Sequence, residues 1–136
     1  MRRVTVLLAL ALAGCSTGAD GAWVLDDFLA DGEAIDVVAP VTMQVEADRV
    51  SGSSGCNTYS GSISTDGGAV VVSDVAVTER FCEDTDVMAL EARFLEALVA
   101  ERWDVEATDD ALTMVAQADD EPGIDLPTTL DFRSAP

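Results

Sequence analysis

The stretch Ser51-Gly52-Ser53-Ser54-Gly55-Cys56-Asn57-Thr58-Tyr59-Ser60-Gly61 decides how the rest of this chain is read. It holds three glycines, five Ser/Thr hydroxyls, a cysteine, an asparagine and one aromatic ring. A segment of this kind cannot fill a core by itself, and its glycines ask for backbone angles or close approaches that other residues resist. Strand-like runs flank it. Val41 to Ala47 alternates Val41, Met43 and Val45 against Thr42, Gln44 and Glu46, the period-two pattern of a half-buried strand. Asp48 turns the chain, so that Arg49 to Ser53 can pair back. On the other side, Tyr59 to Ser64 runs through Thr65-Asp66-Gly67-Gly68 into Ala69 to Ser73, a hairpin with a glycine pair at its tip. Val75 to Thr78 continues the sheet before Phe81-Cys82.

Farther out, the period changes. Val87, Leu90, Phe94 and Leu98 recur at helical spacing, with Met88, Leu95 and Val99 widening the stripe. Glu83, Asp84 and Asp86 crowd the N-terminal end, and Arg102 lies near the C-terminal end, where each suits the helix dipole. This predicts one helix over about residues 85–100. Ala22 to Leu25 reads as a first strand with Trp23 as a core ring, and Asp31-Gly32 as a turn. Trp103 to Ala107 and Leu112 to Ala116 read as strands joined by a turn at Thr108-Asp109-Asp110. Asp119 to Asp125 reads as an acidic loop and Thr129 to Phe132 as a last edge strand. Many short strands with hairpin turns and a single helix predict a mainly β (α+β) fold: a small antiparallel β-barrel or half-barrel with the helix packed on it.

Composition narrows the function classes. The chain has 136 residues, about one domain, and is 49% hydrophobic, enough to build a core. Its 26 acidic residues face seven arginines and no lysine. Such an acidic surface repels phosphate backbones and excludes nucleic-acid binding. Read plainly, it is a solvated coat that keeps the protein soluble. There is no histidine, which excludes Ser-His-Asp and Cys-His catalysis and His-ligated metal. P-loop, GxSxG, SxxK and GxGxxG motifs are also missing from the sequence. Neither cofactor nor metal is expected.

Residues 1–14 begin with Arg2 and Arg3 and continue with an apolar run from Val4 to Ala13. This run of ten residues, nine of them apolar, is too short to span a bilayer, which needs about 20, but it suits an export signal. The segment ends Leu12-Ala13-Gly14-Cys15, which resembles the bacterial lipobox. That resemblance implies cleavage before Cys15, acylation of its thiol, and a chain exported and lipid-anchored on the outer or periplasmic side of a membrane. A two-chain lipid holds where a single chain is marginal. Residues 15–21 then form a short tether, and residues 22–136 the domain.

Once Cys15 is acylated, Cys56 and Cys82 are the remaining thiols, and they sit in an oxidising space. A disulfide between them would tie the glycine-rich turn to the start of the helix. Two free buried thiols and a reactive pair are the other readings, and two cysteines without histidine make a poor metal site.

Gly52-Ser53-Ser54-Gly55-Cys56-Asn57-Thr58-Tyr59-Ser60-Gly61 resembles the GxxGCNxxxG signature of META domains, the family of HslJ-like bacterial lipoproteins. Trp23-Val24-Leu25, Thr78 through Cys82, the helical residues Glu91, Phe94 and Leu98, and the strand residues Trp103, Val105, Leu112 and Met114 follow the same family's order. Phe81 departs from it, standing where a small residue is usual. The resemblance covers about residues 22–116 and implies a small, mainly β, barrel-like envelope domain. Related proteins are linked with stress tolerance, antibiotic resistance and motility or secretion, and no enzymatic activity is established for them. Gly52, Gly55, Cys56, Asn57, Gly61 and Cys82 carry over as structural signature residues. Asn57 is expected to bond its own turn or adopt a left-handed conformation.

The leading functional expectation is therefore a non-enzymatic envelope lipoprotein that meets another envelope protein or ligand, with Asn57, Thr58 and Tyr59 as a candidate interaction rim. The alternative is a small β-barrel inhibitor of an incoming basic enzyme such as lysozyme, favoured by charge. A carboxylate hydrolase would need a spaced acid pair. Calcium binding by Asp119, Asp120, Glu121 and Asp125 lacks the EF-hand order.

Overall fold

The structure, a computed structural model, describes residues 18–118 and 126–136. The leader, Cys15 and the acidic loop from Asp119 to Asp125 lie outside the described residues. Among the described residues, nine strands and one helix follow in order: β1 (Gly21–Ala30), β2 (Glu33–Ile35), β3 (Thr42–Glu46), β4 (Arg49–Ser53), β5 (Thr58–Asp66), β6 (Ala69–Val77), α1 (Thr85–Ala100), β7 (Trp103–Ala107), β8 (Ala111–Ala116) and β9 (Thr129–Ser134). Every pairing is antiparallel. The order runs β2-β1-β3-β4-β5-β6-β7-β8-β9, and β1 also pairs with β9. Eight of the strands thus close into a barrel-like ring, with β2 as a flap on β1. The run Thr129 to Phe132, expected as an edge, is instead the closing strand, because its far side is taken by β1.

Strand β1 is longer than its sequence pattern indicates. Trp23 and Leu25 are buried, then Phe28 and Ala30, so the inward phase slips by one residue. The pairing with β9 slips at the same place, between Leu25 and Asp27. A bulge at Asp26 therefore keeps both halves of the strand facing the core across two adjacent acids. The N-terminal half pairs with β3 and the C-terminal half with β2. Ala19, two residues before β1, is also buried and accepts the Trp23 indole N–H at 2.9 Å. The stretch expected as a tether over residues 15–21 has thus joined the fold by Ala19.

Helix α1 spans the residues its periodicity predicts. Asp84 caps it, its carboxylate accepting the backbone N–H of Asp86 at 2.9 Å and of Val87 at 3.3 Å. Leu90, Phe94 and Leu98 face inward and join the single hydrophobic cluster of the ring. Phe94 meets Tyr59 edge to face, with ring centroids 5.6 Å apart. Arg102 does not serve the helix end as expected, since the last turn carries no base. It reaches the tip of the β5–β6 hairpin, meeting the Asp66 carboxylate at 3.2 Å and its carbonyl at 2.7 Å. β6 and β7 share one registered pair, Val70 with Trp103, and α1 connects these two strands in the chain. No helix among the described residues is long and apolar enough to cross a membrane.

Candidate functional site

The glycine-rich turn joins β4 to β5 and is held from three sides. The first is β3. Ser53 donates its backbone N–H to the Thr42 hydroxyl at 2.9 Å, and the Tyr59 hydroxyl donates to the Thr42 carbonyl at 2.8 Å. Between them, a Cβ on Gly52 would stand 2.1 Å from that same carbonyl oxygen. Only a residue without a side chain lets β4 come this close to β3.

The second side is α1. Glu91 is buried, 8% exposed, and its carboxylate points into the turn. One oxygen accepts the Ser54 hydroxyl at 2.6 Å and the Asn57 backbone N–H at 2.7 Å; the other accepts the Asn57 side-chain amide at 2.7 Å. Burial works to raise the Glu91 pKa. The hydrogen bonds from the Ser54 and Asn57 side chains and from the backbone of Asn57 and Cys56 outweigh it, so the carboxyl sits below the usual glutamate value. A buried carboxylate that makes no ion pair among the described residues is thus held ionised by oriented N–H and O–H dipoles.

The third side is the segment between β6 and α1. The Asn57 side-chain oxygen accepts the Arg80 backbone N–H at 2.6 Å and the Thr78 hydroxyl at 3.0 Å. The Asn57 amide also donates to the Arg80 carbonyl at 3.3 Å. Both lone pairs and both amide protons of this side chain are therefore used. Beside it, Cys56 and Cys82 form a disulfide, choosing among the readings that the spacing left open.

These positions revise the candidate rim. Asn57 and Tyr59 are buried, at 6% and 3% exposure, and only Thr58 is exposed. The strand alternation of β5 turns Tyr59 inward against Phe94, and the Glu91 carboxylate draws Asn57 in. Asn57 also has no left-handed backbone; its side chain reaches across to Arg80 and Glu91 instead of its own turn. Gly55 takes the positive angle, at φ +113°. Gly61 lies where β6 slips register at Asp74, and a Cβ there would stand 2.9 Å from the Ser73 carbonyl oxygen. What the sequence did not show is the role of Glu91, which the resemblance marked as part of the helix but not as part of this site. A charged residue on an amphipathic helix reads as solvent-facing, and the two signals available were that resemblance and its place between Leu90 and Phe94 on the apolar stripe.

Signature and structure thus meet in one cluster: Gly52, Ser54, Cys56 and Asn57 from the turn, Thr78 and Cys82 from the linker, Glu91 from the helix. A family model described as META domain matches residues 16–122. The chain belongs to the META domain family. An NMR structure of a protein from Burkholderia xenovorans is 28% identical to this META domain chain, with a TM-score of 0.64 over 85% of this chain and 82% of that one. A second NMR structure, 21% identical, shares the fold with a TM-score of 0.57 over 84% of this chain and 88% of that one. No curated protein matches. Within the META domain, among the described residues, no group of three or more His, Cys, Asp or Glu is placed to hold a metal ion. The acidic residues weighed for calcium, Asp119, Asp120, Glu121 and Asp125, lie outside the described residues.

Proposed function

We propose that this META-domain chain is an exported lipoprotein, anchored through Cys15, whose domain works without catalysis as an interaction or stress-related module of the cell envelope. The observation that supports a non-catalytic role is the self-sufficiency of the signature cluster. Glu91 and Asn57 are buried, and their polar atoms are spent on Ser54, Cys56, Thr78, Arg80 and each other. An acid, base or nucleophile needs a polar atom free to reach a substrate, and this cluster leaves none. Its chemistry is that of a brace. The anchor rests on Leu12-Ala13-Gly14-Cys15 following a short apolar run.

Expression of wild type and Cys15→Ala in a bacterial host tests the anchor by fractionation. Wild type is expected in the membrane fraction and the variant in the soluble one; retention of the variant in membranes would overturn the reading. A second reading, inhibition of a basic enzyme such as lysozyme, is favoured by the formal net charge of −19. Undiminished lysozyme activity at micromolar protein would end it.

A further inference from the structure

A groove of about 270 Å³ opens between the loop after β2 and the exposed side of α1. Ile35 at the end of β2 and Val38 in the loop after it line one side, Ala89 and Leu90 line the other from the helix, and Asp36, Asp86 and Arg93 bring its charges. It is separate from the signature cluster. Val38 is 51% exposed at its rim, while Leu90 beneath is fully buried and part of the core. The floor is therefore firm and apolar, and the rim carries both signs of charge.

Arg93 is the informative residue. The ion pairs among the described residues are those of Arg102 with Asp66 and Arg133 with Asp26, so Arg93 stands without a carboxylate partner. On a chain with 26 acids, an arginine so placed is open to an anion from outside. Asp86 and Arg93 lie seven residues apart on one helix face, about 10 Å along the axis, and form no ion pair with each other. Asp36 adds a second carboxylate to the same groove.

We propose that this groove takes a short zwitterionic peptide, dipeptide-sized, with apolar side chains. Its carboxylate meets the Arg93 guanidinium, and its ammonium group meets Asp86 and Asp36. Its side chains rest on Val38, Ile35 and Ala89. A dipeptide spans about 7 Å between its ends, which leaves room for the two side chains that reach in from positions about 10 Å apart. A purely anionic ligand would meet two carboxylates, and a purely cationic one would meet Arg93. The zwitterion satisfies both ends. The groove is shallow, so binding in the millimolar range is expected, equivalent to a weak, exchanging ligand. The inference does not rest on the lipid anchor and stands whichever way the Cys15 test falls.

Titration of isotope-labelled full-length protein with leucyl-leucine, followed by NMR, tests it. Saturable shifts are expected at Asp36, Val38, Ala89 and Arg93. N-acetylation or C-terminal amidation of the peptide should each weaken binding at least about fivefold, the scale of one lost charge contact at a partly wet site. Arg93→Gln should match the loss caused by amidation and make the protein indifferent to it. Arg80→Gln, which alters an arginine outside the groove, should leave binding unchanged. No saturable shift up to about 20 mM peptide would overturn the proposal. So would equal binding of the blocked peptides, which would mean an apolar face that reads no charge. Because the blocked peptides act on the wild-type protein, the test stands even if Arg93→Gln folds poorly.

Discussion

The Glu91 carboxylate receives both N–H groups of Asn57, the backbone one and the side-chain one, at 2.7 Å each. One residue of the turn is thus gripped twice by one residue of the helix, with the Ser54 hydroxyl on the same carboxylate. Glu91→Gln replaces one acceptor oxygen by a donor, so that donors face each other in a buried site. A loss of about 3 kcal/mol in unfolding free energy is expected, read by urea denaturation of the oxidised protein. A loss below about 0.5 kcal/mol, the scale of a surface change, would mean that the carboxylate is not braced in this way.

The same carboxylate gives a sign to the pH dependence. Its folded pKa is lowered, so below the ordinary glutamate value the unfolded chain binds the proton first. The stability Glu91 contributes is fully present above that ordinary value and is lost as pH falls through the lowered folded one. Other carboxylates titrate in the same range, so the quantity to follow is the difference between wild type and Glu91→Gln. That difference should be flat from about pH 6 upward and shrink on acidification below about pH 4.

The disulfide constrains the same turn from outside. Cys56 and Cys82 are 26 residues apart, and a loop of that size corresponds to about 3–4 kcal/mol in the chain-entropy account. Paired denaturation curves with and without reductant should differ by an amount of this order. The Glu91 bonds are independent of the sulfur atoms, so the reduced protein should keep its far-ultraviolet circular dichroism.

Gly52 is the position where a single methyl does the most damage. Its Cβ would overlap the Thr42 carbonyl, and Thr42 is itself pinned by Ser53 and Tyr59. Gly52→Ala should destabilise the fold by about 2 kcal/mol or more. Gly68→Ala isolates the other cost a glycine change can carry, since a Cβ there meets nothing within 4 Å and only its φ of +84° disfavours a side chain.

Much of the architecture is legible because local patterns dominate it. The stripe of Leu90, Phe94 and Leu98 and the cap at Asp84 define α1, and Gly67-Gly68 marks the hairpin between β5 and β6. The phase slip at Asp26 hides the second half of β1, since two adjacent acids break the alternation that a bulge restores in space. The three-residue β2 is too short to carry a pattern. Tyr59 and Asn57 look exposed in a polar run, and the reason they are not lies more than thirty residues away in Glu91 and Phe94. Contacts of that range leave no periodic trace.

The central claim is that Asn57 and Glu91 act as one structural unit. A double-mutant cycle of Asn57→Ala and Glu91→Gln, measured by urea denaturation of the oxidised protein, addresses it most directly. The two residues share buried hydrogen bonds, so the double variant should lose about 2 kcal/mol less than the sum of the single losses. Additivity to within about 0.5 kcal/mol would contradict the account.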